Sequence, residues 1–261
     1  MKFEPFEMSR DTARALGFLT RFPIPGHYFE GGAQPVSQAS GAFPLAGLIA
    51  ALPAALFLFI APWLTVPPLL AAVIAVAISI GVCGALHEDG LADTADGLFG
   101  GKDTLDRLDV MKDSRNGTFG TLALFLSLAV RIAALAAIAS ESSLSAAFAL
   151  LCASAASRTA LVWHWFELPN ARPGGTADQA GTPDRGQLNF ALVTGMPLAF
   201  FLAFLAAGID SVVLMASLIA LSAIFFVRLC REKIGGHTGD TLGAAAQIAE
   251  ISALIALAST V

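Results

Sequence analysis

Seven long apolar segments make up most of this chain, and shorter polar stretches separate them. They cover residues 42–61, 68–86, 119–140, 144–165, 189–208, 212–230 and 244–261. Each comes close to the roughly 20 residues that an α-helix needs to cross the hydrocarbon core of a bilayer. The last segment is short and carries Glu250, so counts of six and eight spans remain open. The pattern predicts an all-α, polytopic helical membrane protein that forms one integral membrane domain over residues 1–261.

The first thirty residues lack such a segment. Ala13, Leu16 and Leu19 recur at helical spacing, and three arginines occupy other positions. A short helix of this kind is typical of a segment that lies in the membrane interface, although a soluble amphipathic helix has the same pattern. We therefore expect residues 1–30 to form an N-terminal cytoplasmic or interfacial segment.

The composition agrees with a membrane protein. Hydrophobic residues make up 56% of the chain and charged residues 13%, whereas soluble domains carry roughly 25% charged residues. The mean hydropathy is +0.72. A net charge of −5 gives no basic surface for nucleic acid. We expect the lipid bilayer as a partner and no nucleic acid; the sequence leaves a homo-oligomer open.

The basic residues predict the orientation of the chain. Of the 15 Lys and Arg, all but Arg131 and Arg158 lie in the N-terminal segment or in polar loops near 87–118, 169–187 and 228–243. The short connections on the opposite side, near 62–67, 140–143 and 209–211, contain no Lys or Arg. Because Lys and Arg are retained on the cytoplasmic side, we expect every long polar loop to face the cytoplasm.

A dense group of acids begins at residue 88, after more than fifty positions without any charged residue. Asp89, Asp93 and Asp96 are spaced i, i+4 and i+7, so a helix places their carboxylates on one face. Hard oxygen ligands of this kind suit Mg²⁺, which substrate phosphates usually help to hold. We predict an Mg²⁺ site at these three residues, within an Asp-rich cytoplasmic active-site segment at 87–118. The alternative is a solvated acidic start of a helix.

Cationic side chains follow the acids. On a helix, Lys112 and Arg115 would be neighbours at i, i+3 and could bind one phosphate together. Beside a metal site we predict that Lys102, Lys112 and Arg115 contact substrate phosphates. The alternative is a solvated charged helix in which neighbouring aspartates are ordinary salt-bridge partners.

The last polar loop, 233–243, also combines glycines, hydroxyls and an acid. Thr238 could help to cradle a phosphate or a ribose, and Asp240 could be a metal or hydroxyl ligand. His237 is a candidate acid or base. Two such sites on one side of a bundle fit transfer at a diphosphate, where Mg²⁺ and fixed cations stabilise the developing charge.

Two arginines fall within apolar segments. Buried Arg131 and Arg158 are expected to face the bundle interior and to pair with an acid, and Glu250 is a candidate partner for one of them. An internal ion pair that fixes packing and a ligand contact are both compatible with this pattern.

The run HEDGLADTADGLFGGKDTLDRLDVMKDSRNGTFG, at 87–120, resembles the signature of the cobalamin synthase family, adenosylcobinamide-GDP ribazoletransferase. Further matches extend over nearly the whole chain, in the family's order. They are FLTRFPIP (18–25), FPLAG (43–47), SR (157–158), ARPGG (171–175) and GGHTGDTLGA (235–244), with Glu250. His237 departs from the side chain expected there.

The resemblance implies a multi-pass enzyme of the cell inner membrane that acts late in cobalamin biosynthesis. It would join adenosylcobinamide-GDP to α-ribazole or α-ribazole 5′-phosphate, release GMP and use Mg²⁺. The residues that the resemblance assigns are Asp89, Asp93 and Asp96 as metal and catalytic carboxylates, Lys112, Asp113 and Arg115 as diphosphate or nucleotide contacts, and Asp240 as a contact from the second loop. Asp89 is the first choice for a base.

Two other functions compete with this one. A CDP-alcohol phosphotransferase is also membrane-embedded and Asp-rich, but DGLAD places an acid where that pattern continues differently. An ion-coupled transporter would use the buried arginines and acids as a pathway. Transporters often contain internal repeats, and none is evident in this sequence.

Overall fold

A computed structural model describes residues 5–29, 35–113 and 115–261. Within these ranges the protein is helical and has no named strand; an isolated bridge joins Asn170 to His237. The α-helices are α1 (Pro5–Leu19), α2 (Phe43–Ile60), α3 (Pro68–Cys83), α4 (Leu86–Gly100), α5 (Thr104–Val110), α6 (Thr118–Glu141), α7 (Ser143–Glu167), α8 (Thr176–Ala180), α9 (Arg185–Ile234) and α10 (Gly239–Ala258).

Each predicted apolar segment is helical, which confirms a polytopic helical membrane protein. By length and hydropathy, five stretches of the described chain could each cross a membrane: Val36–Leu64, which contains α2, and helices α6, α7, α9 and α10. Helices α3 and α4 would add a sixth if they formed one span, but they are bent by 89° at their junction.

Helix α9 folds back on itself. Its backbone leaves helical geometry at Ala207 and Gly208, and Gly208 has φ = 81°. The Cys152 thiol of α7 lies 3.1 Å from the Ala199 carbonyl oxygen and 3.3 Å from the Met215 sulfur. In a straight helix Ala199 and Met215 would be roughly 24 Å apart. The two arms, 185–206 and 209–234, therefore run antiparallel, and each corresponds to one of the predicted apolar segments.

Small side chains let the helices of the bundle approach closely. The main core cluster is dominated by alanine and includes fully buried Ala54, Ala72, Ala153 and Ala253. Close packing of small residues is the usual means by which helices associate inside a bilayer, where lipid is as apolar as the helix surface.

The charged loops meet at one end of the bundle. Arg107 Nη1 in α5 donates to the Lys233 carbonyl, 3.1 Å away. The loop after α7 bridges to the loop before α10, because the Ala171 N–H donates to the His237 carbonyl at 2.8 Å. The N-terminal segment reaches the end of α3, where the Arg21 N–H donates to the Val82 carbonyl at 2.8 Å. The prediction that these loops share one side is thus consistent with their mutual contacts.

The described part of the N-terminal segment packs on the bundle. Ala15 and Leu19 are buried in a cluster with Phe43 of α2. Phe18 and Phe29 are exposed. Residues 1–4 and 30 of the predicted segment lie outside the described residues.

Candidate active site

Helix α4 carries the predicted acids. A left-handed pair, Gly84 (φ = 61°) and Ala85 (φ = 58°), ends α3 and turns the chain sharply into α4. The helix Leu86–Gly100 includes Asp89, Asp93 and Asp96, so the helical spacing is confirmed. Asp89 is exposed, Asp93 is half-buried and Asp96 is buried.

Asp96 binds the start of α6. Its two carboxylate oxygens accept the Gly117 N–H at 2.7 Å and the Gly120 N–H at 2.9 Å. Gly117 is the N-cap residue of α6 and has no side chain of its own to cap it. Asp96 therefore satisfies two N–H groups that have no partner within α6. Its negative charge also interacts favourably with the positive end of the α6 helix dipole. Its predicted role as a metal ligand stays a prediction.

Helices α4 and α10 touch through glycine. A Cβ on Gly90 would lie 2.7 Å from the Asp240 carbonyl oxygen and 3.2 Å from the Gly243 Cα. Real Cβ atoms are essentially never found at the first of these distances. Only glycine permits this approach, and the approach places Asp240 beside the acidic face of α4.

Four carboxylates consequently influence one another. The charges of Asp89, Asp240 and Asp96 all repel the half-buried carboxylate of Asp93. Among the described residues, no group of three or more His, Cys, Asp or Glu side chains is arranged to hold a metal ion. A pair of carboxylates one helical turn apart, as in Asp89 and Asp93, nevertheless fits Mg²⁺, which one or two protein carboxylates bind when water and substrate phosphate complete the shell.

The loop before α10 forms a capping box. The Thr238 hydroxyl accepts the Thr241 N–H at 3.3 Å, and the Thr241 hydroxyl accepts the Thr238 N–H at 2.9 Å. Thr238 is buried, and its hydroxyl also donates to Asp240 at 3.3 Å. The structure thus gives Thr238 a role in ending the loop and orienting Asp240; its predicted contact with substrate remains untested.

His237 is buried in this loop. Its backbone N–H donates to the Pro169 carbonyl at 2.8 Å, and neither ring nitrogen has a hydrogen-bond partner among the described residues. Burial lowers the pKa of His237 to about 4. The imidazole is therefore neutral near pH 7, and it is enclosed rather than open to substrate.

The predicted cations lie in exposed positions. Lys112 pairs with Asp109 at 3.1 Å, and Arg115 pairs with Asp113 at 2.6 Å. Hydrogen bonds from Arg115 lower the pKa of the Asp113 carboxyl to about 2. Lys102 is exposed beyond the end of α4. Helix α5 ends at Val110, so the helical spacing expected for Lys112 and Arg115 is wrong, and local aspartates engage both side chains.

A buried ionic network contacts the N-terminal end of α4 through Glu88. Arg131 Nη1 lies 2.8 Å from Glu88 Oε1, and Arg131 Nη2 lies 2.9 Å from Glu250 Oε1. Arg158 Nη1 lies 3.0 Å from Glu250 Oε2. The prediction that Glu250 pairs with a buried arginine is confirmed, and it pairs with both. Glu88 was not predicted in this role, although its place beside Asp89 at the end of an apolar segment is a signal for it.

The fold and this site define a multi-pass helical membrane protein with its acidic chemistry at one end of the bundle. The profile of the family described as cobalamin-5-phosphate synthase matches residues 11–258. The chain belongs to this family.

Curated relatives agree over almost the full length. A protein of Rhizobium meliloti (strain 1021), named adenosylcobinamide-GDP ribazoletransferase, is 47% identical over 97% of both chains. Proteins of the same name from a Sinorhizobium species and from Brucella ovis are 48% and 44% identical, and they cover 96% and 95% of this chain and 97% and 95% of their own lengths. No solved structure matches.

Proposed function

We propose that this protein is a Mg²⁺-dependent transferase that joins adenosylcobinamide-GDP to α-ribazole or its 5′-phosphate and releases GMP. The observation that carries the proposal is the glycine contact between α4 and α10, which gathers Asp89, Asp93 and Asp240 at the end of the bundle where the polar loops meet. The names of the relatives supply the substrate class.

In this reaction a ribose hydroxyl oxygen forms a bond to the phosphorus attached to the corrinoid arm. The bond between that phosphorus and the GMP oxygen breaks, and its electron pair leaves with GMP. Asp89, which is exposed, accepts the hydroxyl proton.

Asp89 and Asp93 are the residues that would hold Mg²⁺, with water and substrate phosphate completing its shell, and Asp240 lies beside them. The ion, when bound, supplies positive charge that neutralises the diphosphate and the leaving group. Asp96 keeps the start of α6 against the acidic helix through its two N–H acceptor contacts. The buried ionic network of Arg131, Arg158, Glu88 and Glu250 holds the N-terminal end of α4 through Glu88.

The site would face the cytoplasm of an inner-membrane protein. The polar loops that carry nearly all Lys and Arg contact one another at the end where the acids lie, and basic loops are retained in the cytoplasm.

The test is GMP release by the purified full-length protein in detergent, supplied with adenosylcobinamide-GDP and α-ribazole 5′-phosphate. We expect release that requires both substrates, that continues with Mg²⁺ and that stops with EDTA. Release without the ribazole substrate would indicate hydrolysis instead. Release that EDTA leaves unchanged would contradict the metal requirement.

A further inference from the structure

We propose that Arg172 binds a phosphate of the nucleotide-activated substrate beside Asp240. This inference rests on the proposed function and adds a binding residue to the same site. It follows from how the loop after α7 is held, from the free donors of Arg172 and from the pairing of the other cations nearby.

The loop that carries Arg172 is fixed to the loop that carries Asp240. The His237 N–H donates to the Pro169 carbonyl, and the Ala171 N–H donates to the His237 carbonyl, both at 2.8 Å. Gly236 has no room for a side chain, because a Cβ there would collide with the Pro169 carbonyl oxygen. The two loops are therefore joined by backbone hydrogen bonds at the end of the bundle.

Arg172 lies where three elements of the site meet. Its Nη2 donates to the Leu108 carbonyl of α5. Its backbone N–H donates to Asn170 Oδ1 at 3.0 Å, and its carbonyl accepts from Asn170 Nδ2 at 3.1 Å. Ala171, the residue before Arg172, is hydrogen-bonded to His237, three residues before Asp240, so the charge of the guanidinium acts on the carboxylate of Asp240, which in turn acts on Asp93.

The guanidinium keeps unused donors. One Nη bonds to a neutral carbonyl, and the other has no acceptor among the described residues and is not buried. No carboxylate of the described chain is within ion-pair distance of it. The positive charge of Arg172 therefore has no salt bridge among the described residues, and it acts on the carboxylate of Asp240. Such a guanidinium is suited to bind phosphate with two parallel hydrogen bonds.

Several other cations at this end are engaged or lie farther away. Lys112 and Arg115 have carboxylate partners within their own turn. Both Nη atoms of Arg107 donate to backbone carbonyls, of Lys233 and Lys102. Lys102 follows the far end of α4, roughly 20 Å along the helix from Asp89 at 1.5 Å per residue.

A phosphate placed between Arg172 and a cation bound by the aspartates would have positive charge on both sides. Its oxygens would accept hydrogen bonds from Arg172, and a cation held by the carboxylates would supply further positive charge. This arrangement predicts that Arg172 contributes to affinity for the diphosphate-bearing substrate rather than to affinity for the ribazole substrate.

The experiment compares Arg172→Met with Arg172→Lys and with the control Arg185→Met in the full-length protein. Arg185 is exposed at the start of α9 and stacks on Phe166, 5.4 Å from the ring centroid. KM for each substrate is measured from GMP release, and binding of GDP with Mg²⁺ is measured directly by calorimetry. The size of the effect follows from the loss of a charge-assisted hydrogen bond.

For Arg172→Met we expect KM for adenosylcobinamide-GDP and the Kd for GDP to rise roughly ten- to a hundredfold. KM for the ribazole substrate should stay at its wild-type value. Arg172→Lys should recover part of the loss because it restores the charge without the planar fork, and Arg185→Met should match wild type.

Unchanged GDP binding and unchanged KM in Arg172→Met would overturn the inference while the proposed function stood. An equal rise of KM for both substrates would overturn it too, because it would indicate a general distortion of the loops. If wild type released no GMP, the proposed function would fail, and the GDP titration would still decide whether Arg172 binds phosphate.

Discussion

Gly90 and Gly243 meet backbone to backbone where α4 crosses α10. A Cβ on Gly243 would lie 3.3 Å from the Cα of Gly90, and a Cβ on Gly90 would lie 2.7 Å from the carbonyl oxygen of Asp240. The two acidic stretches of the sequence, about 150 residues apart, become one site because no side chain separates these helices.

Replacement of this glycine should separate the two halves of the site. We expect Gly90→Ala to lose most of the GMP-releasing activity, and overpacking should cost about 1–3 kcal/mol of stability. Turnover and thermal unfolding in detergent measure the two effects.

The matched control is Gly81→Ala in α3, where an added Cβ would meet no atom within 4 Å. That variant should keep its activity and gain up to about 1 kcal/mol from helix propensity. If Gly90→Ala turned over like Gly81→Ala, the close crossing would not be needed for activity.

Asp93 lies at the centre of the acidic group, so its charge should be needed for cation binding. We expect Asp93→Asn to remain folded and inserted, to lose at least roughly a hundredfold in turnover as the electrostatic term is removed, and to bind Mn²⁺ more weakly in electron paramagnetic resonance titrations. The control Asp210→Asn removes an exposed carboxylate near the fold of α9. Wild-type turnover in Asp93→Asn would refute the role of the acidic face in catalysis.

Glu250 neutralises two buried arginines at once. Within the described part of the chain, Glu250→Gln removes the carboxylate partner of Arg158 and leaves Arg131 paired with Glu88 alone. Breaking a buried pair on one side costs about 3–5 kcal/mol. We expect a loss of that order in the free energy of unfolding, measured in mixed micelles with increasing SDS.

Removing one charge of each sign should be tolerated better. The double variant Arg158→Met with Glu250→Met leaves Arg131 paired with Glu88, so we expect it to be more stable than Glu250→Gln. A double variant less stable than the single one would show that the network stabilises through specific hydrogen bonds and not through charge balance.

Buried His237 makes folding sensitive to acid. Its pKa is lowered to about 4 by burial, whereas an unfolded histidine titrates at about 6.5. Between these values the unfolded chain binds a proton that the folded chain does not, so stability falls as the pH decreases from about 6.5 to 4 and is unaffected by this group at higher pH.

We expect His237→Asn to reduce this slope by at most about 1.4 kcal/mol per pH unit. Thermal unfolding of wild type and variant between pH 7 and 4.5 measures it. His27→Asn, at an exposed position, is the matched control. Parallel pH profiles for wild type and His237→Asn would refute the prediction.

Patterns along the chain predicted the membrane helices, the helical spacing of Asp89, Asp93 and Asp96, the grouping of the polar loops and the family resemblance. These properties depend on local periodicity, on hydropathy over about twenty residues and on contiguous motifs. The pairing of Glu250 with a buried arginine was also predicted, because a charge in an apolar segment requires a partner.

Which distant residues meet could be seen in the folded protein alone. The contact of Gly90 with Gly243, the second ion pair of Arg131 with Glu88 and the place of Arg172 beside Asp240 all depend on helix crossing angles and on loops joined by backbone hydrogen bonds. The break after Val110 likewise gave Lys112 and Arg115 local partners in place of a shared helical face. Periodicity along one segment contains no information about the segment that packs against it, which is the physical reason for this division.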